Sequence, residues 1–426
     1  MVPSERRNGS FGEGLGQHGP DSYRSDAVFC LFILAVCLIY NAHALFTYFA
    51  SISEGILDLA GRPIGRDFIN YWTGGHAVFD GMYPEIFDVS LYHPYQERLL
   101  GTDFADHNWS YPPHILLLLW PLGLLSYVPA LVLWSVVTLS AYLWACLATS
   151  RLRWPLVPAL LLAPATFICL TGGQNGFLTG ALLIGGFGLL RRHPVLAGIL
   201  FGILTIKPQL GILIPFALLA ARQWTAIASA SLTAAALVGG SVFLFGAESW
   251  KAYFDLVAPL QTMIMNEGRG PFLTMMPSAY IGLRLLGIEQ DLRTVVQALL
   301  ALGALAAVLW VFARSQDWSL QLAVLAVGTF IASPYAFNYD MTTVSLAVAL
   351  VALRGLDSGF LPGERIVLAV TWLLPITVQW MNAVGVPLGT PILATCFVYL
   401  LLRVRAGIQS ASVTQAGRSE LALQGD

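Results

Sequence analysis

The sequence predicts an all-α membrane protein that crosses the bilayer about twelve times and carries a large outer first loop. Three observations support this prediction. Of 426 residues, 57% are hydrophobic and only 11% are charged, a composition typical of proteins that are solvated by lipid. The apolar runs end at charged residues, proline or glycine. Arginine falls mostly on alternate connections, and acidic residues fall mostly on the others.

The first apolar run, 27–50, follows a polar stretch at 1–25 that is rich in glycine and serine. This composition predicts a disordered cytoplasmic tail. No small-residue cleavage site ends the apolar run, so we expect an uncleaved anchor. It opens a single membrane domain at 26–405, and a second disordered cytoplasmic tail is predicted at 406–426.

The loop at 51–127 sets the orientation. It holds nine acidic residues but only three arginines. Because arginine-rich segments stay in the cytoplasm, this loop is expected on the outer side. Within it, the apolar run 113–125 is shorter than the roughly 20 residues that a span needs. If that run crossed the membrane, the arginine pairs near 151 and 191 would lie outside. We therefore predict an interfacial or re-entrant helix there.

The remaining spans alternate so that ten arginines fall on inner connections. The predicted spans are 27–50, 128–149, 154–171, 175–190, 194–206, 208–221, 224–245, 292–313, 319–333, 340–356, 364–381 and 387–405. The inner arginines are Arg151, Arg153, Arg191, Arg192, Arg222, Arg314, Arg354, Arg365, Arg403 and Arg405. The spans 194–206 and 208–221 are short and meet at Lys207-Pro208. They are therefore predicted to be half-helices that reach a polar point on the outer side.

Composition argues against several classes of protein. The net charge of −2 suggests neither nucleic acid nor an anionic surface as partner. The sequence contains no phosphate-binding glycine loop and no dinucleotide fingerprint, so no cofactor is expected. All five cysteines lie in apolar spans without metal-ligand spacing, which is typical of small core residues. They are Cys30, Cys37, Cys146, Cys169 and Cys396.

Polar residues gather at the predicted outer ends of the spans. Lys207 is one of only two lysines among 22 basic residues, and it lies in an apolar stretch. An ionisable residue at that depth is a functional candidate; a helix cap or a side chain that reaches the headgroups is the alternative. The other members are Arg66-Asp67, Trp109-Ser110-Tyr111, Gly173-Gln174-Asn175, Glu267-Gly268-Arg269 and Asn338-Tyr339-Asp340. Gln174-Asn175 could also be an ordinary turn between helices, and Asp340 could simply start a helix.

Asp67 is the candidate for acid–base chemistry. Three aromatic residues follow it closely, Phe68, Tyr71 and Trp72. Flat apolar side chains of this kind stack on sugars, and a carboxylate among them would suit a general base. The alternatives are a surface ion pair with Arg66 or an N-cap of the next helix.

These motifs, in this order, resemble those of glycosyltransferase family 87, polytopic enzymes of the GT-C superfamily that include bacterial mannosyltransferases. The resemblance covers about residues 26–405. Its motifs are Asp67-Phe68 with Tyr71, Gly81-Met82-Tyr83, Tyr111-Pro112-Pro113, Pro121-Leu122, Gly173-Gln174, Ala197-Gly198, Lys207-Pro208, Ser333-Pro334 and Asp340.

The resemblance implies a GT-C-like helical bundle in a bacterial inner membrane. It also implies that one hexose or pentose moves from a polyprenyl-phosphate donor to a lipid or glycan acceptor on the extracytoplasmic face, with inversion. Asp67 matches the catalytic carboxylate of the family. Relatives are expected to carry a histidine after the late Ser-Pro, where this chain has Tyr335. Tyr339 or Asp340 is expected to take that role.

The residue chemistry is consistent with such a transfer. Asp67 would deprotonate the acceptor hydroxyl. The leaving phosphate needs cations, for which Lys207 is the first candidate, with Arg269 and Arg66 behind it. The sequence has no Asp-x-Asp motif, so no metal is expected. Substrate contacts are expected from Tyr71, Trp72, Tyr111, Gln174, Asn175, Asn338, Tyr339 and Asp340.

A polytopic transporter or lipid flippase is the alternative, because broken helices and a midplane lysine are also features of transporters. Against it, the motifs show no inverted repeat, and almost all acidic residues lie in loops rather than along the spans. A purely structural partner in an assembly is a third possibility.

Overall fold

The computed structural model describes residues 20–52, 55–104, 107–150 and 156–423. Within these ranges the chain forms α-helices and no β-strand, apart from two isolated bridges in the loop after the first helix. The prediction of an all-α protein is therefore confirmed. The predicted tail up to residue 19 and the connection with Arg151 and Arg153 lie outside the described residues.

The α-helices are numbered in chain order. They are α1 Pro20–Ala50, α2 Phe68–Asp80, α3 Val89–Leu100, α4 Leu116–Leu119, α5 Tyr127–Ser150, α6 Leu156–Leu162, α7 Pro164–Thr171, α8 Gly176–Leu189, α9 Pro194–Ile203, α10 Ile214–Ala220, α11 Trp224–Phe245, α12 Ala247–Ala252, α13 Ala258–Glu267, α14 Pro271–Thr274, α15 Ala279–Leu285, α16 Gln290–Arg314, α17 Trp318–Ala332, α18 Thr342–Ser358, α19 Glu364–Ala383 and α20 Gly389–Leu423. Short 3-10 helices lie at Glu85–Phe87, Pro113–Ile115, Trp120–Leu124, Leu204–Ile206, Pro208–Leu210 and Asn338–Met341, and a π-helix lies at Tyr253–Val257.

Seven helices in the described part of the chain are long and apolar enough to cross a membrane. They are Tyr23–Ala50, Tyr127–Thr149, Trp224–Phe245, Gln290–Arg314, Asn338–Ser358, Glu364–Ala383 and Gly389–Gln409. Five further apolar segments have only 10–17 residues, less than a straight span of the bilayer requires. The structure therefore supports a membrane protein, and the count of about twelve spans stays a prediction.

Proline explains where two predicted spans break. The run 154–171 forms two helices, α6 and α7, because Ala163 before Pro164 is extended, with ψ of 134°. The half-helices predicted on either side of Lys207 are present. Lys207 has ψ of 72° and separates two 3-10 turns that extend α9 and precede α10. The polar break is thus set by Pro208, which has no backbone N–H to continue the helix.

The two chain ends are more helical than the composition predicts. Helix α1 begins at Pro20, inside the stretch expected to be disordered, and α20 continues to Leu423 instead of ending near residue 405. Proline favours the first turn of a helix, and the segment after 405 contains no proline that would stop α20.

The loop after α1 packs two amphipathic helices against the bundle. The run predicted as one interfacial or re-entrant helix, 113–125, is divided into two 3-10 turns around α4. It lies against α2, where the indole nitrogen of Trp72 donates to the carbonyl of Leu125 at 2.9 Å. The core of the bundle is α17, which is buried from Leu320 to Ala332, together with α18.

One end of the bundle carries ion pairs between neighbouring helices. Arg354 of α18 pairs with Asp317 before α17, Arg365 of α19 with Asp26 of α1, and Arg403 of α20 with Glu364 of α19. We call this the paired end. The opposite end, formed by the end of α1, the end of α7 and the start of α18, contains a cavity, and we call it the cavity end.

Candidate functional site

The cavity at the cavity end has a volume of about 510 Å³. It lies between the last turns of α1 and α7, the loop before α2, and the segments before α15 and α18. Its lining residues are Ala44, Thr47, Tyr48, Ser51, Arg62, Arg66, Asp67, His107, Phe167, Ile168, Thr171, Gly172, Gln174, Pro271, Met275, Tyr339 and Gln379. Of the predicted site residues, four therefore line it: Arg66, Asp67, Gln174 and Tyr339.

Asp67 is held at the cavity by two side chains from distant parts of the chain. The amide Nε2 of Gln174 donates to Oδ2 of Asp67. Nε2 of His107 lies 3.6 Å from the other carboxylate oxygen, Oδ1. The Asp67 side chain is still 42% exposed. It is therefore oriented by neighbours and remains open to a ligand.

Both alternative roles for Asp67 are wrong in this structure. Asp67 occupies the N-cap position of α2, but its side chain makes no capping hydrogen bond. Arg66 pairs with Asp58, at 2.7 Å between Nη1 and Oδ2, and not with Asp67. The carboxylate therefore neither caps α2 nor pairs with Arg66.

Gly173 brings Gln174 to Asp67. Its φ of +55° is left-handed, a conformation that glycine adopts without cost. A Cβ at this position would lie 2.6 Å from the carbonyl oxygen of Gly65 and 2.6 Å from Cβ of Phe68. The turn between α7 and α8 therefore touches the segment that carries Asp67. Gln174-Asn175 forms a turn between helices, which was the alternative interpretation of this motif. Its side chains nevertheless contact charged partners, Asp67 for Gln174 and Lys207 for Asn175.

Two arginines share one carboxylate at the rim of the cavity. Asp58 accepts from the backbone and side chain of Arg62 and lies 2.7 Å from Arg66. Burial alone would raise the pKa of Asp58, but the hydrogen bonds from Arg62 and Arg66 lower that pKa to about 2. Asp58 is therefore ionised at neutral pH, and the cluster of two arginines and one aspartate keeps an excess positive charge.

Arg66 has an unusual backbone. Its φ of 45° places a non-glycine residue in the left-handed region, which costs energy and persists where the surroundings impose it. The hydroxyl of Tyr48 accepts from the N–H of Gly65 at 2.8 Å, and the guanidinium of Arg66 lies 5.4 Å from the centre of the Tyr48 ring. These contacts fix the Arg66 side chain at the cavity wall.

Lys207 lies beneath the cavity in a buried ion pair. Its Nζ contacts Oδ1 of Asp340 at 2.7 Å and donates to Oδ1 of Asn175 at 3.1 Å, and its side chain is only 4% exposed. It also lies 4.8 Å from the centre of the Tyr339 ring. Lys207 therefore does not reach the headgroups, and it does not line the cavity. Its charge is matched one to one by Asp340.

The other predicted residues divide into a buried layer and one distant residue. Tyr71 and Tyr111 share a hydrogen bond of 2.6 Å between their hydroxyls, and burial raises the pKa of each phenol well above its usual value. Together with Trp72, these two tyrosines are buried around α2 and do not line the cavity. Asn338 donates to the carbonyl of Pro375 at 2.8 Å. Arg269 is exposed in the loop between α13 and α14, away from the cavity lining.

Three buried side-chain amide atoms near the site have no hydrogen-bond partner among the residues that the structure describes. They are Oε1 of Gln174, Nδ2 of Asn175 and Oδ1 of Asn338. Buried polar groups are normally paired, so the first of these, on a residue that lines the cavity, is suited to a polar ligand.

The position where a histidine is expected in relatives holds Tyr335, which packs in an aromatic group with Phe272 and Phe337.

Sequence reasoning did not select Arg62 and His107 as site residues, although both line the cavity. The only sequence signal for the pair of arginines was their spacing, because Asp58, Arg62 and Arg66 follow one another at intervals of four positions. No sequence pattern assigned a role to His107. No group of three or more possible metal ligands lies together in the described ranges, and Asp67 with His107 offers two.

The model of glycosyltransferase family 87 matches residues 109–334, more than half of the chain. The match includes Gln174 and Lys207, whereas Asp67 precedes it and Asp340 follows it. No curated protein and no solved structure matches this chain.

Proposed function

Because the chain belongs to glycosyltransferase family 87, we propose that it transfers one sugar from a polyprenyl-phosphate donor to a lipid or glycan acceptor in the cavity at the cavity end. A membrane glycosyltransferase follows from the family and from the spanning helices. The observation that carries the finer proposal is Asp67, an oriented and half-exposed carboxylate in that cavity.

Asp67 serves as the general base. Inverting transfer requires one carboxylate that takes the proton of the acceptor hydroxyl while its oxygen attacks the sugar carbon. Gln174 holds Oδ2, so Oδ1, which has Nε2 of His107 at 3.6 Å, is the oxygen that faces the acceptor. The geometry supports this assignment because the amide fixes the direction of the carboxylate without covering it.

Arg66 and Arg62 bind the donor phosphate. The C–O bond to phosphate breaks with negative charge growing on the leaving group, and fixed cations in the site stabilise that charge. Among the residues that the structure describes, the two arginines share Asp58 as their acidic partner, so this cluster carries the excess positive charge that a phosphate needs. Lys207 was the first candidate for this role, but Asp340 already neutralises it. We assign it to holding the broken helix in place.

The lipid tail of the donor leaves the cavity beside α1. The wall there is apolar, with Ala44 from α1 and Phe167 and Ile168 from α7. Most of α1 is exposed, with only 11% of its apolar window buried, and a membrane helix that contacts few neighbours faces lipid. A polyprenyl chain in the bilayer can therefore reach the cavity from the side.

A transfer assay with purified protein tests the proposal. The protein is incubated with radiolabelled polyprenyl-phosphate mannose, glucose or arabinose and with candidate glycolipid acceptors. We expect one donor to give a labelled acceptor product with wild type and none with Asp67→Asn. Movement of the lipid between leaflets without transfer would instead favour the flippase alternative.

A further inference from the structure

His107 is a titratable side chain beside Asp67 to which the proposed mechanism gives no role. It belongs to the segment that joins α3 to the 3-10 turn at Pro113, and it lines the cavity. Its side chain is 11% exposed, compared with 42% for Asp67. The imidazole ring also packs near the Phe104 ring, with 6.0 Å between centroids. His107 is therefore less accessible to solvent than the carboxylate beside it.

The two oxygens of Asp67 have different neighbours. Oδ2 accepts from Gln174, and Oδ1 lies 3.6 Å from Nε2 of His107. That separation is slightly longer than a hydrogen bond. Hydrogen bonds of catalytic groups are often long before substrate binds and shorten in the complex. The geometry thus places a second nitrogen next to the oxygen that would act as base.

We propose that His107 is a positioning residue for Asp67, which donates its Nε2–H to Oδ1 once the cavity is loaded; this inference rests on the proposed function. With Gln174 on one oxygen and His107 on the other, the carboxylate cannot rotate away from the acceptor. A carboxylate oxygen has two lone-pair sites. Oδ1 therefore accepts from His107 with one of them and keeps the other for the acceptor proton.

The proton and electron balance assigns His107 no covalent role. The acceptor O–H bond breaks and its proton goes to Oδ1 of Asp67. The acceptor oxygen forms the new bond to the sugar carbon. The old bond from that carbon to the phosphate oxygen breaks, and its electron pair leaves with the phosphate. His107 keeps its Nε2–H throughout, so a neutral side chain with one suitably placed N–H can replace it.

The test compares His107→Ala and His107→Gln in the transfer assay. Removing the imidazole is expected to lower kcat about 10- to 100-fold and to change the KM for the donor less than about threefold, because the contact acts on the base and not on donor binding. The Gln side chain carries an N–H of similar reach and is expected to restore most of kcat. A merely structural loss would not be rescued in this way.

Two controls keep the result interpretable. Phe104→Leu loosens the packing around His107 without removing the imidazole and is expected to leave kcat unchanged. The thermal midpoint of each variant in detergent reports whether it is folded.

Each outcome has a separate meaning. If wild type gives no transfer, or Asp67→Asn turns over as wild type does, the proposed function itself fails. If Asp67→Asn is inactive but His107→Ala retains the kcat of wild type, only the positioning role is overturned. A rise in donor KM at constant kcat, or restoration of activity by a divalent metal but not by Gln, also overturns it, because His107 would then bind the donor or a metal.

Discussion

The two ends of the helical bundle use the same residue types for different purposes. At the paired end, Arg403 and Glu364 are both buried, with side-chain exposures of 7% and 0%, and each charge has one partner. At the cavity end, two arginines share Asp58, and Asp67 has the amide of Gln174 and the imidazole of His107 as its neighbours. Full pairing fastens helices together. Incomplete pairing around an open space leaves charges that can act on a ligand.

Lys207 and Asp340 show that this contrast does not follow depth or sequence position alone. They lie directly under the cavity, next to Tyr339, yet they form a one-to-one buried pair like those of the paired end. Whether a charged residue has its own partner of opposite charge, rather than how close it lies to the cavity, therefore separates the stabilising residues from the candidate catalytic ones.

The broadest test asks whether the two ends lie on opposite sides of the membrane. Single cysteines at 103 and 193 in a cysteine-free protein are exposed to a membrane-impermeant maleimide in intact cells. We expect labelling at 103 and none at 193, since the acidic loop is predicted outside and Arg191 and Arg192 inside. Labelling at 193 from the outside would reverse or break the predicted topology.

Asp67→Asn is expected to lower kcat about 1,000-fold, within the range that a general base contributes. The amide keeps the shape of the side chain but cannot take the proton, so the thermal midpoint should not change. Asp103→Asn, in an exposed part of the same loop, serves as the matched control and should retain wild-type kcat. If Asp67→Asn stays active, Asp67 is not the base.

Lys207→Ala tests the buried pair. Removal of one partner leaves the other charge buried, which costs about 3–5 kcal/mol in the free energy of unfolding. Removing Asp340 as well should restore part of that loss, because the two residues interact and their effects are not additive. Thermal and denaturant unfolding in detergent measure both. A Lys207→Ala variant that is as stable as wild type but fails to bind donor would instead show that Lys207 binds the donor phosphate.

Arg66→Ala is expected to raise the donor KM about tenfold or more, since a hydrogen bond to a charged group contributes about 1.5–3 kcal/mol. Arg98 lies in the same loop, over the ring of Tyr95 and away from the cavity. Arg98→Ala is therefore the control, with an unchanged donor KM. Equal donor KM values for both variants would remove Arg66 from the phosphate site.

Chelation is expected to have the smallest effect. A monophosphate leaving group carries less charge than a nucleotide diphosphate, and the two arginines can stabilise it without a metal ion. Transfer rates with and without EDTA should agree. Complete loss in EDTA, with recovery on addition of one divalent cation, would instead make Asp67 a metal ligand.

The sequence predicted the parts of this structure that depend on local pattern. Apolar length and arginine placement gave most of the long helices, and Pro208 identified the broken helix at Lys207. Contacts between distant residues could not be predicted. Gln174 meets Asp67 across 107 positions, and Lys207 meets Asp340 across 133. Residue type made Lys207 a phosphate candidate, but a charge acts through its partners, and only the fold determines which partners it has.

Gly173 has a consequence for how this site can change. The residue has no side chain, yet it sets the distance between two side chains that lie far apart in the chain. Even one added carbon would meet the backbone of Gly65 and the side chain of Phe68, and the turn would have to move outward with Gln174. Gly173 touches no substrate, yet we expect it to tolerate substitution less than any other residue at the cavity. Even alanine there would separate the carboxylate of Asp67 from the amide of Gln174.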